Sequence, residues 1–110
     1  MNTNTMDTTT LPSGIIPDRD AIVGAVASAF RVTPEEILSR RRHEYIINAR
    51  FCLYSLLYQK GWSLVAVGQA CGRRDHGSVL HGIKTLKGRL EVERNLFKSI
   101  DALKELGYEL

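Results

Sequence analysis

From residue 18 onward, apolar residues recur every three or four positions and never alternate, so this chain has helix faces to bury and no pattern for a sheet. Ile22, Val26 and Phe30 lie on one face of a first helix, for which Pro17 and Asp18 supply a start signal. Thr33, Pro34 and Glu36 spell a capping box with proline at the first helical position, so a short second helix begins at Pro34. Ile46, Ala49, Leu53, Leu56 and Leu57 lay out a longer third helix that Gly61 stops. Ser63 caps a fourth helix carrying Leu64, Val67 and Cys71, which Gly72 ends. Asp75 is positioned to cap a fifth, whose apolar face reads as Val79, Leu80, Ile83 and Leu86. After Gly88 a last helix carries Leu96, Ile100 and Leu103 and closes at Gly107. Short connections between such helices predict an all-α fold, a compact bundle of about six helices. It forms one domain over 18–110, behind a flexible polar leader over 1–17 whose Ile15 and Ile16 could dock on it.

Within 110 residues there is room for one such core. Neither a membrane-spanning apolar run nor a secretory signal is visible, which leads us to expect a cytoplasmic protein. Cys52 and Cys71 sit inside apolar patterns and read as buried free thiols. No nucleophile–base pair, phosphate-binding loop or metal cluster stands out, so we expect neither an enzyme nor a cofactor. His76 and His81, five apart on one helix, diverge by about 140° and do not suit a shared metal. His81 instead packs inside or closes a local polar contact. Glu35 and Glu36 serve capping rather than acid–base chemistry, and Trp62 anchors the corner between helices three and four. Tyr45, Tyr54 and Tyr58 pack in the core or at its rim with the leucines of helix three.

Charge is unevenly placed. Residues 40–89 carry ten Lys/Arg against two acids, Glu44 and Asp75, inside an acidic frame, although the whole chain is only +3. That distribution points to a polyanionic partner. The basic stretch contains a short helix, a tight turn and a second helix, a helix-turn-helix over about 63–87. In that motif the second helix enters the major groove with its first residues at base edges. Those residues are Asp75, His76, Gly77 and Ser78, with Arg73 and Arg74 at the turn where phosphates pass. Asp75 has two readings, a helix cap and a base contact.

The segment "GRRDHGSVLHG", Gly72 to Gly82, resembles the signature "GGRDHTTVLHA" of the C-terminal DNA-binding domain of the bacterial replication initiator DnaA. "SLVAVGQACG" from Ser63 is similar to that family's "SLPEIGDAFG", Ala49–Arg50 to the start of its "ARQ", and "ILSRRR" to the opening of its basic loop. The likeness runs over roughly residues 18–107 and implies a fold like that domain and the Trp-repressor group. It implies base reading by Asp75, His76 and Ser78, with Arg42, or a neighbour among Arg40, Arg41 and Arg42, in the minor groove. Arg50, Ser63 and Lys84 would lie along phosphates, and we expect Arg40, Arg41, Arg73 and Arg74 to share that task. The implied partner is double-stranded DNA at an A·T-rich site, in replication initiation or its regulation, with replication proteins and a nucleoid location alongside.

Some positions depart from the family pattern. Gly77 stands for its first threonine, Arg73 for a turn glycine and Phe51 for its glutamine, and the turn before Ser63 is one residue shorter. There is no G-x-x-x-x-G-K-[ST] and hence no ATPase module in this sequence. The Met-initiated leader favours a stand-alone protein over an excised fragment. Gly77 and Phe51 keep open an alternative: a helical protein-interaction module, or a transcriptional regulator, that has lost recognition of the family's box.

Overall fold

The computed structural model describes residues 19–110, so the readings of the leader and of the Pro17–Asp18 start signal lie outside it. Six helices follow in order: α1 Arg19–Phe30, α2 Pro34–Leu38, α3 Glu44–Gln59, α4 Leu64–Ala70, α5 His76–Leu90 and α6 Arg94–Glu105. No strand occurs among the described residues.

Helix α3 is the axis of the bundle. It packs against α1, α2, α4 and α5, while α6 closes over α1 and α5. Ile46, Leu53 and Leu57 of α3 are fully buried and meet Ile22 and Val26 of α1, Val67 of α4, Val79 and Leu86 of α5 and Leu103 of α6 in one apolar cluster. Each such side chain contributes about 1.5–3 kcal/mol on removal from water. Local signals set where the helices start. The Glu36 amide donates to Thr33 Oγ1 at 3.1 Å and the Thr33 amide to Glu36 Oε1 at 2.9 Å, which starts α2 as a reciprocal capping box. Ser63 Oγ accepts the Ala66 amide at 3.1 Å and starts α4.

Two details depart from the pattern reading. Helix α5 runs through Gly88 to Leu90, and Arg89 in its last turn is tied to Asn48 and Glu44 of α3. Leu80 is 37% exposed and is not part of the core. Val79, Gly82 and Leu86 centre the buried face, and Leu80 lies about 120° around the helix from them at 100° per residue. Tyr54 is buried at 2%, whereas Tyr45 and Tyr58 remain about half exposed. Cys52 and Cys71 are free and buried, and burial pushes both thiols up to about 12.

Candidate nucleic-acid interface

Helices α4 and α5 meet through a turn that only particular residues can make. A Cβ on Gly68 would lie 2.0 Å from the Arg74 carbonyl oxygen, so the turn crosses α4 where no side chain projects. The Arg74 amide closes that crossing by donating to the Gly68 carbonyl at 2.8 Å. Gly72 and Arg73 then take successive left-handed conformations, φ 89° and 62°. For arginine that conformation carries a backbone cost of about 1 kcal/mol.

Asp75 next begins α5. Its Oδ2 accepts the Gly77 and Ser78 amides at 3.1 and 3.3 Å, and its Oδ1 accepts the Ser78 hydroxyl at 2.7 Å. The Ser78 hydroxyl and amide, with the Gly77 amide, hold the carboxyl below the ordinary aspartate range. Of its two readings, then, the cap is what the geometry displays. The carboxylate and Ser78 keep only spare lone pairs, and so act as acceptors, on the outer side. Gly77 is part of the same arrangement, since a Cβ there would stand 3.0 Å from Asp75 Oδ2. His76, Gly77 and Lys84 are exposed on α5. His81 is exposed as well, lying 3.4 Å from Thr85 Oγ1 and edge-on to Phe51, the local polar contact rather than the interior site.

Facing this first turn, across a cleft of about 580 Å³, is the loop between α2 and α3; Arg40, Arg42, Arg73, Asp75, Gly77 and His81 are among its lining. Arg40, Arg42 and Arg73 are exposed there. Arg41 is exposed too, but its guanidinium is 3.6 Å from the Glu36 carboxylate.

Two arginines expected on phosphates also border this cleft, but the fold holds their guanidinium groups. Arg50 is only 4% exposed. Its Nε donates to the Ile37 carbonyl at 2.7 Å, and its Nη2 to those of Glu36, Ser39 and Arg41 at 3.2, 2.8 and 3.0 Å. Burial first, then the neighbouring Arg74, lowers its pKa. Arg50 is therefore corrected from a surface phosphate ligand to the interior tie of the basic loop. Its planar fork matches converging carbonyls in a way an ammonium could not. Arg74 is half-buried, donating from Nη2 to the same Ser39 carbonyl and from Nε to that of Cys71 at 3.3 Å. Arg74 thus staples the turn to the loop while bordering the same cleft. Ser63 is exposed with its oxygen engaged as the α4 cap.

Sequence reading missed a further network. Arg89 reaches Asn48 Oδ1 and Glu44 Oε2, each at 2.6 Å, and Glu93 at 3.8 Å, and lies 5.8 Å from the Phe51 ring centroid. Phe51 also explains Gly82, where a Cβ would be 2.6 Å from the ring and 2.9 Å from Tyr54. The larger residue on α3 is accommodated by the smaller one on α5. Only the joint occurrence of "ARF" and "VLHG" hints at this in the sequence.

Comparison with known proteins points to one family. Residues 19–86, well over half of the chain, match the family model of the bacterial DnaA protein helix-turn-helix. The chromosomal replication initiator protein DnaA of Thermomicrobium roseum is 33% identical over 91 residues, covering 82% of this chain and 20% of that protein. The protein of the same name from Xanthobacter autotrophicus is 32% identical over 91 residues, 82% of this chain and 18% of its own length. That of Bacteroides thetaiotaomicron is 28% identical over 88 residues, 79% and 19% respectively. The chain thus spans about a fifth of the length of these curated relatives.

Proposed function

The chain belongs to the bacterial DnaA helix-turn-helix family, and from that premise we propose that it binds double-stranded DNA with sequence preference. The observation that carries this reading is the cleft in which exposed Arg40, Arg42 and Arg73 face the first turn of α5. The N-terminal turn of α5 lies in the major groove, where His76 meets base edges and the acceptor atoms of Asp75 and Ser78 face exocyclic amines. Arg42 enters the adjacent minor groove, where a narrow A·T-rich tract has the strongest negative potential. Arg40, Arg73 and Lys84 hold phosphates, which supplies affinity without sequence information. Arg41, shared with Glu36, and the Ser63 hydroxyl take lesser parts.

The relatives' name supports a role in initiating chromosomal replication or regulating it; we place that role at a cytoplasmic, nucleoid-bound location, beside other replication proteins. This role is binding and not catalysis. Among the described residues no helix is long and apolar enough to cross a membrane. Selection from a random duplex pool at low salt tests the reading, and enrichment of a defined site is the expected result. Loss of that enrichment in Arg40→Ala/Arg42→Ala, with the fold intact by circular dichroism, would tie it to the cleft. If no duplex is retained at low salt, the proposal fails.

A further inference from the structure

On α5 the residue most nearly opposite the buried strip of Val79, Gly82 and Leu86 is Gly77, about 170° away at 100° per residue. The centre of the exposed face therefore begins as bare backbone. Leu80 and His81 follow at i+3 and i+4. Side chains on a helix lean toward its N-terminus, so both overhang the turn that Gly77 leaves uncovered.

The remaining groups on this face are polar: the imidazoles of His76 and His81, the Asp75–Ser78 hydrogen-bonded pair and the Lys84 ammonium. Leu80 is the one large apolar side chain among them, 37% exposed, and the core does not use it as it uses Val79 and Leu86. An apolar group at that depth in a major-groove helix has one chemically matched target. Thymine alone among the four bases presents a methyl group there.

We propose that Leu80 is a specificity-determining residue of this domain, packing on the C5-methyl group of a thymine one turn in from the start of α5. The proposal rests on the duplex-binding reading above. The bare backbone at Gly77 lets the helix sit close enough for that contact. The histidines and the acceptor pair in the first turn then read neighbouring base edges.

The test starts from a duplex selected by the wild-type protein, with each thymine replaced singly by deoxyuridine, which removes only the methyl group. At one or two adjacent thymines the wild type should lose about fourfold in affinity, the factor expected from one buried methyl group. Leu80→Ala should bind the thymine and deoxyuridine duplexes equally, while keeping wild-type helicity and melting behaviour. The deoxyuridine series on the wild type needs no variant, so a folding defect in Leu80→Ala would not protect the idea. If no thymine shows a loss, if the selected site contains none, or if the same loss persists in Leu80→Ala, the proposal is overturned while duplex binding stands. Absence of binding to any duplex at low salt would instead bring down the binding reading itself.

Discussion

A guanidinium whose donors converge on four main-chain carbonyls is held in place and cannot follow a phosphate, and Arg50 is in that position. Arg50→Ala would take from the buried Ile37 carbonyl and from the Arg41 carbonyl the donor that holds them, and release the loop that carries Arg40 and Arg42, although the Ser39 carbonyl keeps Arg74 and the Glu36 carbonyl keeps Ser39. We expect a loss of roughly 2–4 kcal/mol in denaturant unfolding. Arg50→Lys should recover little of it, since a point charge cannot span the same acceptors. Asp75 gives a test with a defined pH sign. Hydrogen bonds from Ser78 and Gly77 depress its carboxyl pKa, so its contribution is complete above the unfolded value of about 4 and is lost as pH falls through the lower folded value. Thermal melts of the wild type and Asp75→Ala should differ at neutral pH and converge in acid. Asp75 was legible in the sequence because a cap acts within three residues of itself. Arg50 was not, because its acceptors lie nine to fourteen residues back and no local pattern announces them.

Where α3 meets α5, close approach is set by residue size. Alanine normally gains about 1 kcal/mol over glycine inside a helix. At Gly82 that gain is opposed by the Phe51 and Tyr54 rings, so Gly82→Ala should destabilise the protein. In a Phe51→Ala background the same change should cost less, with the Tyr54 ring still 2.9 Å from the new Cβ. A double-mutant cycle read by urea unfolding should then give a coupling of about 1–3 kcal/mol, and additivity would refute the size-exchange account. The turn before α5 separates stability from binding. Arg73 sits at φ 62°, so Arg73→Gly should raise stability by about 1 kcal/mol while weakening duplex binding. Helix starts and most faces could be read from the sequence because caps and period are local. The passage of α5 through Gly88 and the exposure of Leu80 could not, because both depend on what α3 and α4 present to that helix.

Across the whole molecule, the basic stretch over residues 40–89 divides between interior and surface. Sequence discloses the sign of each charge and its approximate helix, but not which cations the fold itself consumes. Arg50 and Arg74 are tied to main-chain carbonyls, and Arg89 to Asn48, Glu44 and Glu93. Arg40, Arg42, Arg73 and Lys84 are left exposed on the proposed DNA side. Each cation engaged with duplex DNA contributes about −0.9 to the slope of log K against log salt. Four such contacts give roughly −3 to −4, shallower than a total of all the arginines in the stretch would suggest. Arg42→Ala or Lys84→Ala should reduce the slope by about one. Arg89→Ala should leave it unchanged, with its effect confined to stability, because that guanidinium is neutralised by two carboxylates before any DNA arrives. Fluorescence anisotropy on one duplex between about 50 and 200 mM salt separates these cases. A wild-type slope near zero, or an equal change in Arg89→Ala and Arg42→Ala, would mean that burial had not sorted the cations as argued.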